Sequence, residues 1–150
     1  MEFEGEVEIE TTKTDLWRLI SDPEALVTCV PGAKEVHKQS ATRYTGLIER
    51  GVAGVTITLD GEVEIVELNE PTSMRAIASG TDSKTNSQMD AQAEMDLRDD
   101  GDELTLQYGV TVEFTGKLAT LGSRLVKRKV KSDIDTYFEN VREHAEDHSS

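Results

Sequence analysis

The stretch that decides the fold is "KLATLGSRLVKRKVKSDIDTYFENVREHA", residues 117–145. It contains no proline, and its apolar residues recur every three or four positions, which predicts one long α-helix. The apolar face of this helix holds Leu118, Leu121, Leu125, Val126, Val130, Ile134, Tyr137 and Val141. Since no other element of comparable length is available, this helix has to cover the apolar face of whatever sheet the chain forms.

The sequence before this helix consists mainly of predicted β-strands. Residues 2–10, "EFEGEVEIE", alternate strictly, with Phe3, Gly5, Val7 and Ile9 on one face and glutamates on the other. Further alternating stretches, separated by turn signals, cover residues 33–38, 42–52, 54–68, 73–80, 87–97 and 104–114. Short turns between consecutive strands predict an antiparallel sheet.

Two short helices are predicted between the first and second strands. Thr12 followed by Asp15 resembles a capping signal, and Asp22–Pro23 is a typical start for a second helix. Pro31–Gly32 then ends that helix. Cys29 lies near its C-terminal end among apolar neighbours, where the helix dipole disfavours a thiolate, so we interpret Cys29 as a buried structural thiol.

This order of elements predicts an α+β helix-grip fold of the START and pollen-allergen type. A curved antiparallel sheet of six to seven strands would surround the long C-terminal helix, and the two short helices would close one end. We expect a single domain over residues 1–145 and a flexible C-terminal end at residues 146–150. Domains of this kind typically enclose a cavity between sheet and helix.

Small residues on two neighbouring strands predict where that cavity lies. Alternation turns Ala76 and Ala78 inward on one strand and Ala91 and Ala93 inward on the next. Because natural cores are close-packed, either side chains of the helix fill the space above these alanines or a ligand does. Tyr108 is the best candidate for a polar contact inside the cavity. The predicted lining is Trp17, Leu26, Met74, Ala76, Ala78, Met89, Ala91, Ala93, Tyr108, Leu118, Leu121 and Leu125.

The composition is strongly acidic, with 30 Asp and Glu residues against 16 Lys and Arg residues and a net charge of −14. This balance argues against nucleic-acid binding and favours a halophilic protein of a high-salt cytoplasm. A single cysteine fits a reducing cytosol, and the acidic N-terminus does not resemble a secretory signal. No metalloprotease, dithiol, nucleophile-elbow or phosphate-loop motif is present, so we expect no catalytic residue, cofactor or metal. His144 and His148 have a spacing that can bind a metal, but we interpret them as surface residues.

The helix also carries a basic strip, which we define as Arg124, Lys127, Arg128 and Lys131. These four residues share one face of the helix, opposite Val126. The strip is either a solvated surface balanced by the acidic surroundings or a docking surface for an acidic partner or an anionic membrane.

Two motifs carry a family resemblance. "DPEAL" followed by "CVPG" after the first helix, and "GKLATLGSRLV" at the start of the last helix, resemble the carbon monoxide dehydrogenase CoxG family of the START-like SRPBCC superfamily. The resemblance covers almost the whole chain and implies a helix-grip domain with a hydrophobic cavity. It further implies an accessory protein of molybdenum-containing carbon monoxide dehydrogenase-type enzymes that handles a lipid or quinone-like molecule near the membrane.

Longer members of the family have an additional C-terminal membrane-binding tail. The present chain ends in "EDHSS" at Ser150, so we expect at most peripheral membrane contact. Two other functions stay open: an enzyme of the polyketide cyclase or hydrolase type on the same fold, and an assembly or recruitment factor that binds no ligand.

Overall fold

The structure is a computed structural model that describes residues 1–101 and 103–148. Strands and helices follow one another in the predicted order. They are β1 (Glu2–Ile9), α1 (Lys13–Ile20), α2 (Pro23–Cys29), β2 (Ala33–Lys38), β3 (Arg43–Val52), β4 (Val55–Asn69), β5 (Ser73–Asp82), β6 (Ser87–Asp100), β7 (Glu103–Gly116), α3 (Lys117–Thr120) and α4 (Ser123–His148).

The seven strands form one sheet in the order β1-β7-β6-β5-β4-β3-β2, and every neighbouring pair is antiparallel. Strands β1 and β2 are therefore the two edges. The long helix α4 contacts β1, α1 and α2, so the short helices and the long helix lie on the same face of the sheet. We call this the inner face. The predicted helix-grip fold is confirmed.

The two short helices begin as their sequences predict. The Thr12 side chain accepts a hydrogen bond of 3.1 Å from the backbone N–H of Asp15, and the Asp22 carboxylate accepts one of 3.1 Å from Glu24. These side chains satisfy backbone N–H groups that have no partner inside the first turn of a helix. At the other end, Gly32 has a φ of +78°, and a side chain there would overlap the backbone of β3.

The predicted single helix over residues 117–145 is divided in the structure. The short helix α3 ends at Thr120, and α4 begins at Ser123. Gly122 causes the break, because its φ of +99° is a conformation that ends a helix and that other residues rarely adopt. Helix α4 continues to His148 and so overlaps the predicted flexible end, of which residues 149–150 lie outside the described residues.

The buried apolar side chains form two separate clusters at opposite ends of the sheet. The first core cluster joins α1, α2 and the C-terminal half of α4 to β1, β6 and β7. Its members are Ile9, Leu16, Trp17, Ile20, Cys29, Leu97, Leu104, Leu106, Phe138, Val141 and Ala145. The second core cluster joins α3 and the start of α4 to the β3–β4 hairpin, and its members are Val52, Ile57, Leu118 and Val126.

Candidate ligand-binding site

Four alanines meet in the middle of the sheet, as the alternation predicted. Ala76 pairs directly with Ala93, and Ala78 pairs directly with Ala91, across strands β5 and β6. We call these residues the alanine patch. Side chains directly opposite each other on neighbouring antiparallel strands are close enough to touch, so four methyl groups form a continuous shallow surface.

The alanine patch lies on the inner face but is not covered completely. Ala76 is 6% exposed, whereas Ala78, Ala91 and Ala93 are only half-buried. Among the described residues, neither core cluster includes any of the four alanines. A face that packs against a helix is normally buried. Three of the four alanines are therefore only partly covered by neighbouring side chains.

The remaining predicted lining residues are divided between the two ends of this space. Trp17 belongs to the first core cluster, and Met74 and Tyr108 pack against it. Leu118 belongs to the second core cluster, and Leu121 packs against that one. The two clusters thus bound the space over the alanine patch at both ends.

Besides the four alanines, three predicted lining residues lie in neither cluster. Leu26 and Met89 are half-buried, and Met89 pairs with Phe114, which packs against the second core cluster. Leu125 is 42% exposed, so the structure places it largely in solvent, although the sequence pattern had assigned it to the apolar face of the helix.

Tyr108 lies between α4 and the edge strand β1. Its ring stacks on Phe138 with centroids 4.0 Å apart, and it covers Gly5, where any side chain would overlap the hydroxyl group. Burial raises the pKa of Tyr108, the nearby Asp135 raises it further, and Lys131 opposes the shift. The Tyr108 hydroxyl makes no hydrogen bond to any described residue and lies over Gly5 on the edge strand.

Sequence reasoning missed Phe138, which is buried in the first core cluster. Phe138 also contacts Tyr137 edge to face, with centroids 4.9 Å apart. The signal was present, because Phe138 is four positions after Ile134 and three before Val141. Burial raises the pKa of Tyr137, and the nearby Cys29 adds to the shift. Three aromatic rings therefore form one wall at the end of the space.

Cys29 is buried, as predicted, with an exposed fraction of 2%. Burial raises the pKa of its thiol, because the charged thiolate is disfavoured away from water. Its backbone carbonyl accepts a hydrogen bond of 3.0 Å from the side chain of Asn140, which ties α2 to α4. The surroundings of Cys29 favour packing over nucleophilic chemistry.

Asp82 is the carboxylate to consider for acid or base chemistry, because it is only 6% exposed. Its two oxygens accept hydrogen bonds of 2.9 Å each from the backbone N–H groups of Thr58 and Lys84. These bonds favour the charged form and lower the pKa of Asp82 despite its burial. An ionised carboxylate held by backbone donors stabilises a loop and cannot donate a proton.

The basic strip is only partly paired. Lys131 forms an ion pair of 2.9 Å with Asp135 one turn further along α4. Arg124, Lys127 and Arg128 are exposed and have no ion pair within the described part of the chain. The strip therefore reduces to three free cations near the start of α4.

One ion pair fixes α4 to the sheet. Arg50 on β3 binds both carboxylate oxygens of Asp133, at 2.6 and 3.0 Å, and Lys129 approaches Asp133 to 4.0 Å. A bidentate contact of this kind fixes orientation as well as distance. Together with the two core clusters, it helps to set the rotation of α4 over the sheet.

Two surface clefts lie outside the space between sheet and helix. A cleft of about 370 Å³ on the outer face has carboxylates of Glu62, Glu64, Asp90 and Glu113 in its lining, and it also borders Ala78 and Ala91 of the alanine patch. Such an acidic depression does not suit an apolar ligand. A cleft of about 280 Å³ between α1 and the end of α4 has His144 in its lining. The side chain of His148, the second histidine of the predicted surface pair, lies outside the described residues.

The helices in the described part of the chain lack the combination of length and hydropathy needed to cross a bilayer.

Solved structures with the same fold define the class of protein. A conserved protein from Geobacillus kaustophilus is 23% identical with a TM-score of 0.87, and the match covers 97% of this chain and 95% of that one. A START superfamily protein from Mycobacterium smegmatis is 13% identical with a TM-score of 0.71 and 97% coverage of both chains. Ara h 8.0201 is 14% identical with a TM-score of 0.68 and the same coverage. The chain therefore has the START-like fold.

The family is shown by sequence. The CoxG family, which is named for the G subunit of carbon monoxide dehydrogenase, matches residues 5–146, and the chain belongs to this family. The resemblance of the two motifs is thereby confirmed. No curated protein matches the chain.

Proposed function

We propose that this protein binds an apolar small molecule, such as a lipid or a quinone-like compound, between the inner face of the sheet and α4. The half-buried alanine patch between two packed core clusters is the observation that carries this proposal. Apolar surface that faces a protein interior without being filled favours an apolar occupant. The START-like fold and the CoxG family support a ligand-binding accessory protein.

The proposed ligand has an apolar body and at least one hydrogen-bond acceptor. The Tyr108 hydroxyl, at the edge of the space, is free to donate a hydrogen bond to such an acceptor. Pockets of this kind are mostly apolar and contain a few polar groups that orient the ligand. Tyr108→Phe is expected to lower the affinity for a ligand that has an acceptor oxygen and to leave the affinity for a pure hydrocarbon unchanged.

We propose a non-catalytic role. An enzyme of the cyclase or hydrolase type needs a general acid or base within reach of the bound molecule. The buried Asp82 stays ionised, so it cannot act as the acid, and its lowered pKa and two backbone hydrogen bonds make it a weak base. The family description, a subunit of carbon monoxide dehydrogenase, supports an accessory role beside an enzyme of that type, which we expect to contain molybdenum. The single cysteine supports a cytoplasmic location.

Filling the space from the sheet tests the binding site directly. Ala78→Leu and Ala91→Leu should lower the affinity for a hydrophobic fluorescent probe by at least about tenfold and leave stability nearly unchanged. If side chains of α4 already fill the space, each leucine would instead overpack the core and cost about 1–3 kcal/mol. Ser79→Leu, at the adjacent position on the outer face, is the matched control and should leave probe affinity unchanged.

Native mass spectrometry of the protein purified from its own host identifies the ligand. A bound lipophilic molecule that disappears in Ala78→Leu would support the proposal. Absence of any bound molecule, together with a stable complex with a carbon monoxide dehydrogenase-type enzyme, would favour the ligand-free recruitment factor instead.

A further inference from the structure

The elbow between α3 and α4, which we define as residues 118–128, combines free cations with an exposed apolar side chain. Arg124, Lys127 and Arg128 are exposed and have no ion pair among the described residues. Acidic residues outnumber basic ones by 30 to 16 in this chain. A cluster of unpaired cations in such a chain indicates a partner of opposite charge outside the molecule.

Leu125 decides what kind of partner fits. It is 42% exposed and shares a helix face with Arg128, three positions along. On the other side of the break at Gly122, Leu121 packs against the second core cluster. Leu125 is thus an exposed apolar side chain close in sequence to the core, with cations on both sides of it in the chain.

We infer that the elbow docks on the surface of an anionic lipid bilayer. Leu125 would enter the boundary between headgroups and acyl chains, and Arg124, Lys127 and Arg128 would lie beside lipid phosphates. Apolar side chains flanked by Lys and Arg are typical of interfacial helices, whose long basic side chains keep their charge in water. A purely acidic protein surface would use the cations but would leave Leu125 unexplained.

The inference rests on the proposed function in one respect, namely that a bilayer is the source of the apolar ligand. The elbow borders the space over the alanine patch. Met89 lies two residues from Ala91 on β6 and pairs with Phe114. Phe114 packs against the second core cluster, which contains Leu118 and Val126 of the elbow. Docking by the elbow would therefore bring one end of the proposed site to the membrane.

The overall charge of −14 does not prevent this docking. The acidic outer face of the sheet and α4 lie on opposite sides of the sheet, roughly 10 Å or more apart. The Debye length is about 8 Å at physiological ionic strength, so the bilayer interacts mainly with the charges next to it. In the docked orientation the charges next to the bilayer would include the three cations of the elbow.

Sedimentation with lipid vesicles tests the inference on the ligand-free protein. We expect binding to vesicles of phosphatidylglycerol and phosphatidylcholine, weaker binding as KCl is raised, and at least about tenfold weaker binding to phosphatidylcholine alone. Each cation near an anionic bilayer contributes about a fivefold factor, so Arg124→Glu with Arg128→Glu should weaken binding by at least about twentyfold. Lys34→Glu with Arg98→Glu changes the net charge equally at exposed positions elsewhere and should have little effect.

A second pair of variants tests the apolar contact. Leu125→Ser should weaken vesicle binding several-fold, whereas Ile77→Ser, which replaces a side chain with the same exposed fraction of 42% on the outer face, should not. Equal vesicle binding by the two charge-reversed proteins would overturn the inference. So would binding to an acidic protein without any binding to vesicles.

Probe titration in solution separates this inference from the proposed function. The elbow variants should keep the probe affinity of the unchanged protein, because the substituted side chains face solvent. Normal probe binding without vesicle binding would reject the docking surface and leave the binding site standing.

Discussion

At the scale of single residues, Asp82 shows how a buried charge contributes to the fold. Its carboxylate lies at the end of β5 and binds the backbone of β4 through Thr58 and that of the following loop through Lys84. These hydrogen bonds lower its pKa, so the folded state binds the ionised form more tightly than the unfolded chain does. The stabilisation is present above the unfolded pKa and is lost as pH falls through the lower, folded pKa.

Asp82→Asn should therefore lower the free energy of unfolding at neutral pH and make it depend less on pH in the acidic range. The asparagine amide has one acceptor oxygen where the carboxylate has two, so one backbone N–H loses its partner. Urea unfolding from about pH 7 to about pH 3 measures both effects. Asp96→Asn, at an exposed position on the neighbouring strand, is the control and should keep the acid dependence of the unchanged protein.

Cys29 provides the second residue-scale prediction. Cys29→Ser would place a hydroxyl group in a buried apolar position, which should cost about 1–3 kcal/mol in the free energy of unfolding. Cys29→Ala should cost less than the serine, because it adds no polar group. In the folded protein the thiol should react with an alkylating reagent far more slowly than a free cysteine, because it is buried and its pKa is raised. Rapid alkylation under native conditions would contradict the buried structural role.

At the scale of elements, the junction between β7 and α3 depends on close backbone packing. Gly116 has a φ of +79° and a ψ of −144°, a region that residues with a side chain hardly populate. A side chain there would overlap the carbonyl oxygen of Asn86 in the β5–β6 hairpin. Next to it, the backbone N–H of Leu118 donates a hydrogen bond of 3.2 Å to the buried side chain of Ser87. The hairpin thus fixes where the last two helices begin.

Gly116→Ala should be strongly destabilising, by about 3 kcal/mol or more, because backbone strain and steric overlap add. The matched control is Gly101→Ala, which has almost the same φ of +80° but open space around it. That variant should cost only about 1–2 kcal/mol from the backbone conformation. Chemical denaturation of both variants measures what Gly116 contributes beyond its positive φ, and equal losses would show that neither its ψ nor the contact with Asn86 matters.

The strands were predictable from sequence because their signal is local. The period of two on β5 and β6 correctly placed Ala76 opposite Ala93 and Ala78 opposite Ala91, since a shift of one residue would turn every side chain to the other face. The break at Gly122 was not predicted, because an isolated glycine inside a helical pattern is compatible with a continuous helix.

The contacts of α4 were harder to predict, because tertiary contacts set its rotation over the sheet. The ion pair that fixes this rotation joins Arg50 and Asp133, which are 83 positions apart in sequence. No local pattern encodes such a contact. For the same reason, the 42% exposure of Leu125 and the stacking of Phe138 on Tyr108 were not predicted.

At the scale of the whole molecule, negative charge is concentrated on the outer face of the sheet. Asp90 and Glu113 stand directly opposite each other there, an arrangement that destabilises a sheet when both are ionised. At one end of the same face, Glu8 raises the pKa of Glu103 through a hydrogen bond and its charge, and Glu10 and Glu146 add to the effect. The folded state therefore brings like charges together that the unfolded chain keeps further apart.

Salt should relieve this repulsion, so we expect stability to rise with KCl. The Debye length falls from about 30 Å at 0.01 M to about 3 Å at 1 M, which screens repulsion between neighbouring carboxylates. An increase of about 2 kcal/mol in the free energy of unfolding would raise the melting temperature by roughly 4–8 °C for a chain of this size. Glu113→Gln removes one member of the opposed pair and should melt higher than the unchanged protein at low KCl but show a smaller further gain. A melting temperature that falls as KCl rises would contradict the prediction and, with it, the assignment of the acidic surface to a high-salt cytoplasm.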